Sequence, residues 1–369
     1  MAAPSDPPQK PGAAGRRRRS VVARVTEAAI AFREGEPVAI RGPDGIALAY
    51  ALEMVTAHSL GDVKGGVLLL THARARTLKI RIYTPEVVAL PLDNKASPET
   101  LRAIADPTLD LAEPMKGPFE AVRDSLPTSF AASVKLAKLS GLLPATIAKS
   151  ISDAPSDTIE ISVADVHAFE MQSLETLALV TRARVPLEGA ENTELVAFRS
   201  RDGGPEHYAI VIGAPLPHQP VLTRLHSECF TGDLLGSLKC DCGPQLAAAL
   251  AQIAASGWGI LLYLRQEGRS IGLVNKLRAY QLQDQGFDTV DANHRLGFQD
   301  DERDFAVAAR MLALLSRGAI RLLTNNPRKV AALEAEGVEV VERVPLKAGA
   351  GAHNEAYLAT KRDRSGHQL

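Results

Sequence analysis

Cys229, Cys240 and Cys242 are the only thiols in this chain of 369 residues, and all fall in the stretch HSECFTGDLLGSLKCDCGPQ. Cysteines that merely fill a core lie among apolar neighbours, whereas Glu228, Thr231, Asp233, Lys239 and Asp241 surround these. A disulfide between Cys240 and Cys242, two positions apart, would be strained. A soft divalent metal, zinc first, held on three thiolates is the better account. Structural zinc sites are usually closed by four protein ligands, while catalytic ones keep a position for water and lower its pKa to roughly 7. His226 would close the site as a fourth ligand, so the sequence leaves a structural and a catalytic centre both open.

Something must position these thiols, and the chain supplies two differently built parts. Its length exceeds that of a usual single domain, which makes two domains the expectation. With 46% hydrophobic residues each can bury a sizeable core. Lys and Arg (42) balance Asp and Glu (43), so any phosphate recognition must be local. No uninterrupted apolar run reaches about 18 residues, which argues against a membrane span. The opening MAAPSDPPQKPGAAGRRRRS lacks the apolar segment of a secretory signal and reads as a disordered tail, 1–20, ending in a solvated basic run, Arg16 to Arg19. Three cysteines in such a chain suit a reducing cytoplasm.

From Val21 to about Arg182 the pattern is α+β. RVTEAAIAFREGEPVAI predicts a helix with apolar Val25, Ala28, Ala29 and Phe32, a stop at Gly35, then a strand. VKGGVLLLTHA predicts another strand, SFAASVKLAKLSGLLPATIA a helix closed by Gly141, and SVADVHAFEMQSLETLALVTR a further helix and strand. From 183 a Gly- and Pro-broken meander is expected, followed by helices alternating with the strands WGILLYL, AIRLLT and VEVVERV. That alternation predicts a mixed, largely parallel sheet covered by helices, with ligands at the carboxyl ends of its strands. QEGR and TNNPRK each directly follow such a strand.

The second half, 183–369, resembles GTP cyclohydrolase II. The residues that carry the likeness are RLHSECFTGD, GSLKCDCGPQL, LYLRQEGRSIGLVNKLRAYQLQDQG, DTVDANHRLGF, DERDF, RLLTNNPRKV and VERVPL, in the family's order. The resemblance implies opening of the imidazole ring of GTP with release of formate and pyrophosphate, in riboflavin biosynthesis. It implies one Zn2+ per subunit on Cys229, Cys240 and Cys242, Mg2+ with the triphosphate, a homodimer, and no nucleic-acid or membrane partner. It further implies GTP contacts at Arg224, His226, Ser227, Glu228, Gln245, Glu267, Gly268, Arg269, Thr289, Thr324 and Lys329. Glu267 and Gln245 would pair with guanine, and Tyr280 would sit by the ring carbon. Asp301 would accept a proton, and Arg303 would attack or stabilise the α-phosphorus. The physically easier role for an arginine, which stays protonated, is charge stabilisation. A competing reading makes Asp300 and Asp301 caps of a helix beginning near Arg303.

Two alternatives stand beside the cyclohydrolase. One is a paralogue that stops at the formamide or serves pyrimidine breakdown; the other is a structural zinc knuckle acting with the basic tail on nucleic acid, against which stand only 4% aromatic residues. The first half, 21–182, faintly resembles 3,4-dihydroxy-2-butanone 4-phosphate synthase. Where that family carries an acidic metal cluster this chain has RGPDGIALAY with Asp44 alone, and where it has His-Thr-Glu this chain has Pro127 to Ser133, PTSFAAS. A degenerate, non-catalytic domain is therefore expected.

Overall fold

The computed structural model describes residues 19–93, 95–201, 204–214 and 219–346. The expected tail lies outside these up to residue 18. Its last two residues do not: Ser20 caps the first helix by accepting from the Ala23 amide, and Arg19 pairs with Glu27. Among the described residues no helix is long and apolar enough to cross a membrane.

Two mixed sheets covered by helices make the molecule. The first contains β1 (Val38–Gly42), β2 (Gly45–Ala51), β3 (Val67–Thr71), β4 (Val87–Pro91), β5 (Ala145–Ile151) and β6 (Ile159–Ser162), in the order β4-β3-β5-β2-β1-β6. Helix Val21–Glu34 buries Val25, Ala28, Ala29 and Phe32 against it and ends at Gly35, whose φ of 80° a side chain would strain. Helix Thr128–Leu139 crosses β2 and β5. Its first amide and hydroxyl, those of Thr128, both donate to the Asp44 carboxylate at 2.7 Å.

The second sheet runs β13-β12-β10-β11-β9-β8-β7, formed by β7 (Ala178–Arg184), β8 (Thr193–Arg199), β9 (His207–Ile212), β10 (Val221–Ser227), β11 (Gly259–Leu264), β12 (Ala319–Leu323) and β13 (Glu339–Val344). β11, β10, β12 and β13 pair in parallel, whereas β9, β8 and β7 continue from β11 as an antiparallel meander. Alternation along the strands feeds two cores: Val221, Leu225, Ile260 and Leu262 face helix Ala306–Leu314, and Leu222 and Leu261 face helix Cys242–Ala255. Each such fully buried side chain contributes roughly 1.5–3 kcal/mol. β7 pairs with β8 from Ala178 to Arg184, so the division expected between residues 182 and 183 falls inside a strand, and the seam between the sheets lies ahead of Ala178.

β10 is the strand on which the site depends. It lies centrally between β11 and β12 and is buried from Val221 to His226, although Thr223, Arg224 and His226 are polar. Its carboxyl end delivers Arg224, His226 and Ser227, then the cysteine segment, to the edge where α/β sheets bind ligands.

Candidate active site

Cys229 follows β10, Cys240 ends the next loop, and Cys242 opens helix Cys242–Ala255. Their Sγ atoms lie within 4.8 Å of one another, and among the described residues no His, Asp or Glu joins them. Sulfurs bound to a tetrahedral zinc at ~2.3 Å sit about 3.8 Å apart; Cys229 and Cys240 are 3.6 Å apart. Gly232 makes room for the cluster, since a Cβ there would lie 2.7 Å from the Cys240 sulfur and 2.9 Å from that of Cys229. The electrostatics agree. Hydrogen bonds from Cys240 and Cys242, then the Lys276 ammonium 2.9 Å away, hold Cys229 far below the ordinary thiol range. The Cys240 and Cys242 thiols are pushed up, first of all by Cys229. One thiolate is stable in this pocket by itself, and a divalent cation offsets the repulsion of three.

The fourth-ligand reading of His226 is corrected by its contacts. Its Nε2 sits 3.0 Å from both oxygens of Asp233, which also accepts from the Cys229 amide at 3.0 Å and the Tyr263 hydroxyl at 2.8 Å. Asp233 thus orients the loop and engages His226, leaving the three thiols as the candidate metal ligands. That is the open count of a catalytic centre.

One cavity collects almost all of the residues expected to act. Arg224, His226, Ser227, Glu228, Gln245, Glu267, Gly268, Arg269, Tyr280, Thr289, Arg303, Thr324 and Lys329 line it together with the three cysteines. Arg224 is fully buried, which brings its pKa down to about 10 and still leaves it protonated at neutral pH. Its Nε and the Ser227 Oγ are buried without a protein partner, as groups awaiting a polar ligand are. Glu228 pairs with Arg265 at 2.6 Å.

Two expected roles receive no support from these contacts. Glu267 accepts from Lys276 Nζ at 2.7 Å, the Phe230 amide at 2.6 Å and the Gly268 amide at 3.1 Å, so its carboxylate braces the metal side of the cavity. Gln245 is held between Arg224 and Asp241, at 2.7 and 2.6 Å.

Asp301 is absent from the cavity lining but holds Arg303, which is present; Arg303 Nε donates to the Asp301 carboxylate at 2.7 Å. Burial opposes ionisation of Asp301, yet the Arg303 guanidinium keeps its carboxyl below the usual range. The helix-cap reading is corrected here: the helix is Ala306–Leu314, and Asp304 takes its first amide at 2.8 Å. Asp301 instead binds the amide and guanidinium of Arg303.

A family model described as GTP cyclohydrolase II matches residues 178–345. A GTP cyclohydrolase-2 of Azospirillum brasilense is 47% identical over 360 residues, 94% of each chain. The chain belongs to the GTP cyclohydrolase II family. GTP cyclohydrolase-2 of Escherichia coli (strain K12 / DH10B) is 55% identical over 193 residues, 52% of this chain and 98% of that one. Among solved structures, a two-domain 3,4-dihydroxy-2-butanone 4-phosphate synthase from A. baumannii covers 87% of this chain and 99% of its own at 18% identity and a TM-score of 0.32.

Within this GTP cyclohydrolase II chain, sequence reasoning passed over Lys276 and gave Thr231 and Asp233 no role beyond the polar setting of the cysteines. Lys276 was signalled by spacing: it precedes Tyr280 by four positions on helix Gly272–Asp284, which puts both on one face. Tyr280 donates or accepts with Thr231 Oγ1 at 3.2 Å, and burial first of all raises its pKa to about 12.

Proposed function

We propose that this chain hydrolyses the imidazole ring of GTP, releasing formate and pyrophosphate and giving 2,5-diamino-6-hydroxy-4-(5-phosphoribosylamino)pyrimidine, in riboflavin biosynthesis. The observation that carries this reading is the set of three thiols in the lining of a cavity that Arg224, Arg269, Arg303 and Lys329 also line. Cys229, Cys240 and Cys242 would hold one zinc per subunit, which supplies a Lewis acid and activates water near neutral pH.

Loss of the ring carbon as formate takes two additions of water, one to the ring and one to the resulting formamide. Tyr280, protonated at neutral pH and steadied by Thr231, donates a hydrogen bond where charge develops beside that carbon. Lys276 adds positive charge on the same side. The triphosphate, carried with Mg2+, lies against the arginines and Lys329. Water adds to the α-phosphorus and gives up its proton to Asp301 as pyrophosphate leaves, and Arg303 stabilises the charge there, because a guanidinium paired to an ionised Asp301 remains cationic and is a poor nucleophile. Thr289 and Thr324 offer hydroxyls at the cavity wall. We assign the working protein to the cytoplasm, as a homodimer.

Removing the metal tests the reading. The zinc-loaded chain is expected to release formate from GTP, to lose that activity after treatment with a chelator, and to regain it on addition of zinc. Formate release that survives complete stripping would refute it.

The first domain carries no comparable chemistry among the described residues, where the three cysteines form the one group of metal-ligating side chains. Asp44, the lone carboxylate between Arg41 and Tyr50, is engaged by the start of helix Thr128–Leu139. Rearranging a sugar phosphate next to its carbonyl calls for metal on several carboxylates and a positioned base. The full chain is accordingly expected to form no dihydroxybutanone phosphate from ribulose 5-phosphate with Mg2+. Turnover abolished by Asp44→Asn would reverse this assignment.

A further inference from the structure

The seam between the two domains follows a pattern. Three elements of the second domain present site residues to the cavity, and each hands one charged residue to the first domain. On helix Gly272–Asp284, Arg278 stands two positions from both Lys276 and Tyr280, a turn of about 200° that puts it on the opposite face. There it meets Glu53 at 2.8 Å and Asp106 at 3.3 Å. Helix Thr289–Arg295 places Thr289 at the cavity and Arg295 against Asp110 at 3.4 Å. In the turn from Asp300 to Asp304, Glu302 lies between Asp301 and Arg303 and turns the other way, to Lys138 at 2.7 Å.

These contacts are partly shielded from water. Side-chain exposure is 18% and 20% for Arg278 and Glu53, and 24% and 22% for Lys138 and Glu302. An apolar patch continues the seam, with Leu143 of the first domain packed among Ile271, Ala279, Leu282, Leu296 and Phe298. The half-length relatives, of which the E. coli sequence aligns over 98% of its length, match only 52% of this chain and so have no counterpart of the first domain. The half-length relatives therefore lack the ties that join the first domain to the site in this chain.

We infer that the first domain braces the cyclohydrolase site of this chain from behind, and that Lys138, through Glu302, is a positioning residue for Asp301 and Arg303. The inference rests on the roles given above to those two residues. Glu302 accepts from the Gln299 amide at 2.9 Å as well as from Lys138, while its own amide donates to the Arg269 carbonyl at 3.2 Å and Arg269 donates to the Asp300 carbonyl at 2.8 Å. The turn is thus gripped from inside the cavity by Arg269 and from outside by Lys138. Releasing the outer grip frees Arg303 to drift from the phosphate.

Lys138→Ala and Lys138→Arg in the full-length protein provide the test, read by kcat and KM for GTP, by zinc content, and by hydrogen exchange at residues 299–304. Lys138→Ala is expected to lower kcat about tenfold, within the hundredfold that a ~1 Å misplacement can cost, with KM changed less than about twofold. Zinc content stays full, exchange at Glu302 quickens, and Lys138→Arg restores both rate and protection. Wild-type kcat and exchange in Lys138→Ala would overturn the inference, as would loss of zinc or an arginine variant as impaired as the alanine one. Exchange reports on the clamp even in a protein that leaves GTP intact, so a failure of the proposed reaction and a failure of the clamp give different results.

Discussion

Replacing Cys242 by Ser is expected to empty the zinc site and abolish formate release. Cys242 is the first residue of helix Cys242–Ala255, so the exchange leaves the backbone and the approach of the helix unchanged. What it removes is the thiolate. A serine hydroxyl stays protonated near neutral pH and is a far poorer zinc ligand, and the two sulfurs that remain, 3.6 Å apart, fall short of the three protein ligands a catalytic zinc commonly keeps. Metal analysis of the purified variant, run beside the formate assay, should show both near zero. A zinc-free variant with full formate production would detach the chemistry from the cysteines.

Arg303→Ala should separate the two halves of the reaction. The variant keeps its zinc, because Arg303 is tied to Asp301 and lies far in sequence from the cysteines, yet pyrophosphate release slows by about 100-fold or more, the cost of removing one transition-state donor. The Asp301 carboxyl, held down by Arg303, also rises back toward its ordinary range, so its protonation on acidification begins at higher pH than in the wild type. Turnover at the wild-type rate, measured as pyrophosphate against time, would reduce the DERDF segment to a structural turn.

The metal centre was legible because its chemistry is local: three thiols in a polar stretch admit few alternatives, and helices alternating with strands announced the sheet that carries them. β10 was not legible. VLTRLHS mixes polar residues onto both faces, and they are buried here only because β11 and β12 flank the strand and the cavity takes its end. The internal partners of Glu267 were not legible for a related reason, since a sequence shows a carboxylate but not the lysine and amides bound to it. Glu53 pairs with Arg278, 225 positions away. The clamp joining Lys138 to Glu302 spans 164 positions. No periodicity reaches across such distances; only the folded seam brings those charges together.

The most direct measurement is the mass of what the intact, zinc-loaded chain makes from GTP and Mg2+, with formate and pyrophosphate counted per GTP consumed. The open three-thiol site and the Asp301–Arg303 pair predict one formate and one pyrophosphate for each GTP, and a product with the mass of the diaminopyrimidine ribosyl monophosphate. A product that retains the ring carbon as a formamide, or GTP recovered intact, would contradict the account.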